Sequence, residues 1–586
     1  MKLRRQAGIC RASSIRNYWR GLKRRSPYAA FLLVITVSLN PVFSTAGAQT
    51  QIGAIAVQID PLASTVSPLA QKASELLTRL AGPDGSRGTV GFTMVLTDGT
   101  VMAQDAIDHG LWWRLTPDIF GSFSRGTWSR RAHMPASYAP DGFAAAVLAD
   151  GRVLIVGGEY LDNQNSNYDL ALSNRGAIYD PVADKWRMIA PPPGIEYIGD
   201  APSVVLPNGK FLLGAKLSSQ MAVFDPANEQ WTLVEAKRKN DLNAEEGWTL
   251  LPDGSILTLD VKNGPETEIY MPDNMGEKNA SSDDGIWEQV GRTPEDLHSN
   301  IDMFPTTYPG GTYLPVGEIG PAILRPDGTV FATGASNSPQ NPGHTAIFDT
   351  RSRRWGRGPD FPQFDSKQAA DDASDMSAVL LPSGNVLVAG RGVTTYVGVI
   401  PYTKYYLYEF DGTTLQPAAP SMNDFCISLS VLPTGEVLVA TFDGSTQTPL
   451  YLFRSASSAG FKEDWAPVIR ELSAPMENVD GGLRVTLRPE TTYRIWGEQF
   501  NGLSQGQAVG DEGQAAQNYP LIRITNKATR HVFYARTHDH STMAVATGSQ
   551  RVSTNFEFSN EVESGASTIE VVANGIPSKP LEIDIR

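Results

Sequence analysis

Apolar residues come in short runs along most of this chain, each run broken by a turn that ends in Gly and then resumed. The pattern reads MVLTDGTVM around Gly99, AVLADGRVLIVGG around Gly151 and VVLPNGKFLLG around Gly209. It returns as TLLPDGSILTL around Gly254, AILRPDGTVFATG around Gly328, AVLLPSGNVLVAG around Gly384 and SVLPTGEVLVATFDG around Gly435. Aliphatic and β-branched residues favour strands, and Asp-Gly or Asn-Gly supplies the positive φ of a tight turn, so each run predicts a hairpin. A second hairpin follows most of them, with an apolar strand, a polar turn and a strand opened by Trp186, Trp231 or Trp355. Successive turn glycines are 52, 58, 45, 74, 56 and 51 residues apart. Two hairpins per period make a four-stranded unit that cannot bury both faces alone, whereas seven such units stacked radially can. The expected fold is all-β, a seven-bladed β-propeller; a sandwich array or β-helix is the competing reading, and the long period favours blades.

The spacing of 74 implies an insertion within 271–318, carrying the polar run Asp273 to Gly285 and the Pro/Gly/Tyr-rich stretch Phe304 to Pro315. Such a loop would lie over one face as a binding element. Leu69, Ala73, Leu76, Leu77 and Leu80 have helical spacing and predict a short helix from Pro68 to Leu80. After Trp465 seven short strands are expected: Leu483–Leu487, Tyr493–Trp496, Leu521–Ile524, Val532–Ala535, Val552–Phe558, Thr568–Val572 and Leu581–Ile585. That density suits an immunoglobulin-like β-sandwich.

The N-terminus changes the compartment. Residues 1–25 hold nine Lys or Arg and no acid, an apolar run follows from Ala29 to Leu39, and Ala46-Gly47-Ala48 offers a cleavage site. The expected division is a signal peptide 1–48, an N-terminal segment 49–88, the propeller 89–465 and the sandwich 466–586. The protein is then secreted, periplasmic or on the cell surface. Cleavage moves the net charge from −14 to −23 and removes Cys10, leaving Cys426 alone, so no disulfide framework holds the mature chain. The negative charge argues against nucleic acid and anionic membranes, and no membrane insertion is expected after cleavage.

The architecture resembles the galactose oxidase and glyoxal oxidase superfamily, and more closely its bacterial kelch-repeat members. The resemblance spans roughly 90–586 and rests on Gly157-Gly158-Glu159-Tyr160, Glu245-Glu246-Gly247-Trp248 and Val572-Ala573-Asn574-Gly575-Ile576-Pro577-Ser578. It implies a copper ion near one face, held by two Tyr and two His with one Tyr cross-linked to Cys. The family's Tyr-His pair opens a late inner strand ten and nine residues before the turn glycine. Here those positions are Phe425 and Cys426, and the position of the cross-linked Tyr is Gly142. Phe offers no donor oxygen, so the resemblance carries the fold rather than the radical-copper chemistry. The last copper ligand comes from a C-terminal loop that reaches into the propeller. Thr537-His538-Asp539-His540-Ser541 is expected to be that loop, with His538 or His540 as ligand.

The same counting places a carboxylate at the start of six of the seven inner strands: Asp141, Asp200, Glu245, Glu246, Glu318, Asp375 and Asp424. Like charges around one axis repel. A bound cation such as Ca²⁺, a ring of N–H donors or raised pKa values should offset them; alternatively the carboxylates tie neighbouring blades together. Other chemistry is thin. There is no GxSxG, and His109, His133, His298 and His344 have no metal-like spacing. Trp112, Trp113, Tyr402, Tyr405, Tyr406 and Tyr408 could stack on sugars but read as blade core.

The leading expectation is an exported, monomeric, non-catalytic protein that binds a glycan or an extracellular protein at the channel mouth, through the carboxylates above. A copper-dependent oxidoreductase with a variant ligand set stands second. A carboxylate-based hydrolase or lyase stands third.

Overall fold

A computed structural model describes residues 77–83, 90–163, 167–216, 218–273, 284–299, 317–336, 343–362, 371–397, 400–419, 422, 425–442, 449–455, 462–479, 481–509 and 515–586. All lie in one compact unit, Ala73–Arg586. The expected leader, most of the expected helix and insertion, and Asp424 fall outside the described residues. Among the described residues no helix is long and apolar enough to cross a membrane.

Every turn glycine of the repeat sits at positive φ, from 72° at Gly99 to 88° at Gly209. Each closes an antiparallel hairpin, as in Ala144–Val147 with Val153–Val156 around Gly151. Third and fourth strands follow in order, so the Gly209 sheet runs Ser203–Val205, Phe211–Gly214, Met221–Asp225, Gln230–Val234. The Gly99 and Gly328 sheets repeat that order, and the Gly254 sheet adds the parallel strand Ala236–Lys237.

The sheets stand side by side as a propeller-like ring. The inner strand Ser377–Leu380 packs on Phe425–Val431, which packs on Val90–Val95, and Phe92 meets Phe143 edge-on at 5.2 Å. The three tryptophans expected to open fourth strands, and Trp287 besides them, pair across the ladder with an aromatic residue of the third. Tyr179–Trp186, Phe224–Trp231, Tyr270–Trp287 and Phe348–Trp355 are direct partners, with centroids 5.0, 5.1, 5.2 and 5.0 Å apart. Each such pair adds roughly 0.5–1.5 kcal/mol to the area it buries. Trp112 and Tyr408 are fully buried in the same way.

The Gly435 sheet corrects one expectation. Its three strands Phe425–Val431, Val437–Phe442 and Leu450–Phe453 take a fourth from the far end of the chain, Leu77–Leu80. Leu77 and Leu80 are therefore in a strand, not at the end of a helix. Pairing with Leu450–Phe453 outweighs the local helical spacing, because propensity is a weak prior against a waiting sheet edge.

The seven strands expected after Trp465 are present within three residues of their expected ends, from Gly482–Leu487 to Leu581–Ile585. They enclose a core that includes Leu487, Ile495, Ile522, Ile524, Phe556 and Ile583. Two further strands from this region, Gly506–Val509 and Ala515–Ala516, leave it and enter the ring. The first pairs antiparallel with Ser377–Leu380, the second parallel with Ala144–Val147, and the two pair with each other. One continuous sheet thus crosses the middle of the ring.

Candidate binding site at the hub end of the ring

The inner strands begin at one end of the ring and finish at the turn glycines at the other. The chain turns sharply before each begins. Nine residues ahead of Gly151, Gly254 and Gly384 stand Gly142, Glu245 and Asp375, at φ 58°, 53° and 56°. Two of these are carboxylate residues in the left-handed region, which side chains adopt at a cost of order 1–3 kcal/mol.

Around Gly151 the backbone brings a carboxylate to the same end from the second strand. Gly157 and Gly158 follow Val153–Val156 at φ 89° and 115°. A Cβ on Gly157 would stand 2.1 Å from the Gly199 carbonyl oxygen, so only glycine fits. Gly158 N–H donates to Gly199 O at 2.7 Å and Glu159 N–H to Gly142 O at 2.7 Å. Those two bonds set Glu159 beside Asp200. Lys216, beyond the end of Phe211–Gly214, completes the cluster. Its ammonium lies 2.6 Å from Asp200 Oδ1, 2.8 Å from Glu245 Oε1 and 3.6 Å from Glu159 Oε1. Arg391 stands 3.6 Å from Asp375 and 3.7 Å from Asp372.

Burial sets the electrostatics. The Lys216 side chain is 1% exposed, against 11–12% for Glu245 and Glu159 and 20–23% for Asp375 and Arg391. Loss of water pushes the Glu159 carboxyl up to about 8; Lys216 opposes this, and the charges of Asp200, Glu245 and Asp375 add to it. The same burial raises Asp200, again against Lys216. The repulsion expected of an acidic ring is thus met by built-in cations together with raised pKa values.

The structure divides the expected collar. Asp200 and Glu245 meet on Lys216, and Asp375 acts on Glu159 from across the ring. Asp141 pairs in the ladder with Tyr160, next to Glu159. Glu318 is held through its backbone by Ser299. Glu246, ahead of the strand Thr249–Leu250, points away from Lys216. It joins a buried box inside the Gly254 sheet, where Lys239 Nζ is 3.1 Å from Glu246 and 3.4 Å from Glu268. Trp248 and Thr258 each donate to Glu246 at 3.0 Å. Asp260 lies in that box with neither oxygen hydrogen-bonded. Its burial, with Glu268 nearby, raises it to about 8.

Glu159, Lys216 and Arg391 were not among the expected site residues. Counting backward from each turn glycine finds inner-strand starts. Counting forward eight, seven and seven residues from Gly151, Gly209 and Gly384 lands on these three, along or just beyond the second strands.

His538 and His540 are placed differently from expectation. Their loop rests on the turn end, where Thr537 N–H donates to Thr97 O, His540 N–H to Ala149 O and Met543 N–H to Pro207 O. His538 Nδ1 pairs with Asp539 at 2.7 Å and His540 Nδ1 with Thr554 at 2.8 Å. The C-terminal segment that does enter the ring holds no histidine. Phe425 and Cys426 open the inner strand of the Gly435 sheet as counted, with side chains outside the described residues. Among the described residues no group of three or more His, Cys, Asp or Glu is placed to hold a metal. Copper needs soft or imidazole donors gathered at one point, and the described residues do not fit it.

No family model and no curated protein matches the chain. Among solved structures it is similar to one described as a novel fungal alcohol oxidase with catalytic diversity among the AA5 family, in complex with copper. Identity is 11% and the TM-score 0.42, over 87% of this chain and 98% of that one.

Two substitutions test the electrostatics. Lys216→Met leaves Asp200, Glu245 and Glu159 without their cation and should cost about 3–5 kcal/mol near pH 8. The loss should shrink toward pH 5 as Glu159 and Asp200, both raised by burial, take up protons. Denaturant unfolding at both pH values reads this, and an equal loss at both would contradict it. Asp260→Asn has the opposite sign. A carboxyl raised from 3.8 to about 8 in the fold loses stability as pH climbs between those values. The variant should gain about 1–3 kcal/mol at pH 8, with less gain at pH 4; no gain at pH 8 would contradict it.

Proposed function

We propose that this chain is an exported, monomeric kelch-type protein whose ring is a seven-bladed propeller, with Leu77–Leu80 closing the last blade and an immunoglobulin-like sandwich after residue 465. Its function on this reading is to bind a polyhydroxylated, carbohydrate ligand at the hub mouth without converting it. The observation that carries the reading is the graded exposure of the cluster. Lys216 and Asp200 are sealed beneath, while Glu159, Glu245, Asp375 and Arg391 are partly open. Carboxylate oxygens accept from sugar hydroxyls, a protonated Glu159 can donate, and the Arg391 fork donates to paired oxygens. A carboxylate neutralised by a buried lysine is held in place rather than freed to react, which favours recognition over turnover.

The test is a glycan array on residues 49–586, followed by calorimetry with the best binder. Asp375→Asn and Arg391→Ala should each weaken binding at least tenfold. Substituting Lys185, an exposed residue on a fourth strand, should not. Binding that ignores both hub substitutions, or stoichiometric copper with peroxide produced from alcohols, would overturn the reading.

A further inference from the structure

Two of the sheets outgrow the ring at the hub end. In the Gly384 sheet the inner strand Ser377–Leu380 pairs with the second strand through Val386, Leu387 and Val388. The ladder between the second and third strands, Val386–Val397 and Ile400–Phe410, goes on past Arg391 and Tyr405 to Val397 and Ile400. In the Gly151 sheet the second strand ends at Val156. Just after Glu159 the chain forms a further hairpin, Tyr160–Asn163 with Asn167–Leu170, and its first strand pairs with Pro140–Asp141 ahead of the inner strand. Both hairpins therefore rise from the hub mouth, one beside Glu159 and the other from Arg391.

Each hairpin opens with a tyrosine facing a charged residue. Tyr160 is the direct ladder partner of Asp141, and Tyr405 that of Arg391. Direct partners share a face, with Cβ atoms about 4.5–5.5 Å apart, so each pair sets a phenol ring beside a charged group. All four residues are partly open to solvent, whereas Tyr408, deeper in the same sheet, is fully buried. The ladder shifts register between Arg391 and Thr394, and such bulges re-aim side chains next to functional sites. Tyrosine gives a rigid apolar face at small entropy cost, and the carboxylate or guanidinium beside it gives directional hydrogen bonds. A sugar ring, apolar on its faces and hydroxylated around its edge, takes both. In the continuous sheet, four strands lie between Val153–Val156 and Val386–Val397. At roughly 4.8 Å per strand this puts the two second strands on the order of 20 Å apart along it, more than one sugar can bridge. We propose that Asp141–Tyr160 and Arg391–Tyr405 are two sugar subsites on opposite sides of the hub mouth. The occupant is then an internal stretch of a linear, non-acidic glycan chain, since the open carboxylates between the pairs repel an acidic one. This rests on the hub being the glycan site and adds the length and kind of chain it takes.

The test is calorimetry on the full chain with linear oligomers of glucose, mannose and N-acetylglucosamine, each taken from the dimer to the octamer. Two subsites on one chain make the second contact intramolecular, so the best series should gain at least tenfold in affinity from dimer to octamer. Tyr160→Leu and Tyr405→Leu keep an apolar side chain and remove the ring. Each should weaken the octamer at least tenfold and leave the dimer, which needs only one pair, within about twofold. A tyrosine that only supports the fold would weaken both lengths alike, and that result would overturn the subsites. If either variant does not fold, the wild-type length series decides. Equal affinity for dimer and octamer, still lost in Asp375→Asn, would overturn the two subsites and leave the hub reading standing. Octamer binding that ignores Asp375→Asn, or no binding at any length, would overturn the hub reading and the subsites with it.

Discussion

One ammonium group sits where the geometry of the ring would otherwise be untenable. The inner strands converge, and their turns deliver carboxylates to a space from which water is largely excluded. Lys216 lies within 2.6–3.6 Å of three of these carboxylates, from Asp200, Glu245 and Glu159. In such a setting an unpaired charge is worth several kcal/mol against folding. Burial first, and the neighbouring carboxylates after it, raise the Glu159 and Asp200 carboxyls, and Lys216 offsets only part of that rise. The Gly254 sheet meets the same difficulty with Lys239, which also lies 4.3 Å from the face of Trp287, a favourable contact for a desolvated cation.

Much of the fold was legible because a hairpin needs little context. Alternating apolar residues with Asp-Gly or Asn-Gly between them allow few other structures, and the Trp residues opening the fourth strands marked the second hairpin. What the pattern could not reveal was pairing between distant segments. Leu77–Leu80 looks helical by spacing and becomes a strand because Leu450–Phe453 offers it an edge. Gly506 to Ala516 reads as a polar, glycine-rich loop, with small side chains and little β-branching. Its strands exist because two ring strands lie on either side of them.

The hub was half legible for a similar reason. Asp200, Glu245 and Asp375 share a position relative to a turn glycine, so counting found them. Glu246, one residue nearer its turn glycine, goes instead into the buried box with Lys239 inside its own sheet. Lys216 lies just past the end of a second strand and Arg391 midway along one, and no local pattern distinguishes them from surface cations. The position of the histidine loop was not legible, because closeness in sequence says nothing about which end of a ring a loop rests upon.

The central claim is that Lys216 is sealed among carboxylates at the axis of the native ring. Amine-selective acetylation of the folded protein, followed by peptide mapping, tests it most directly. Lys216 should stay unmodified while the exposed Lys185 and Lys237 react fully, and should become reactive only in denaturant. Acetylation of Lys216 in the native protein at the rate of those surface lysines would contradict the account.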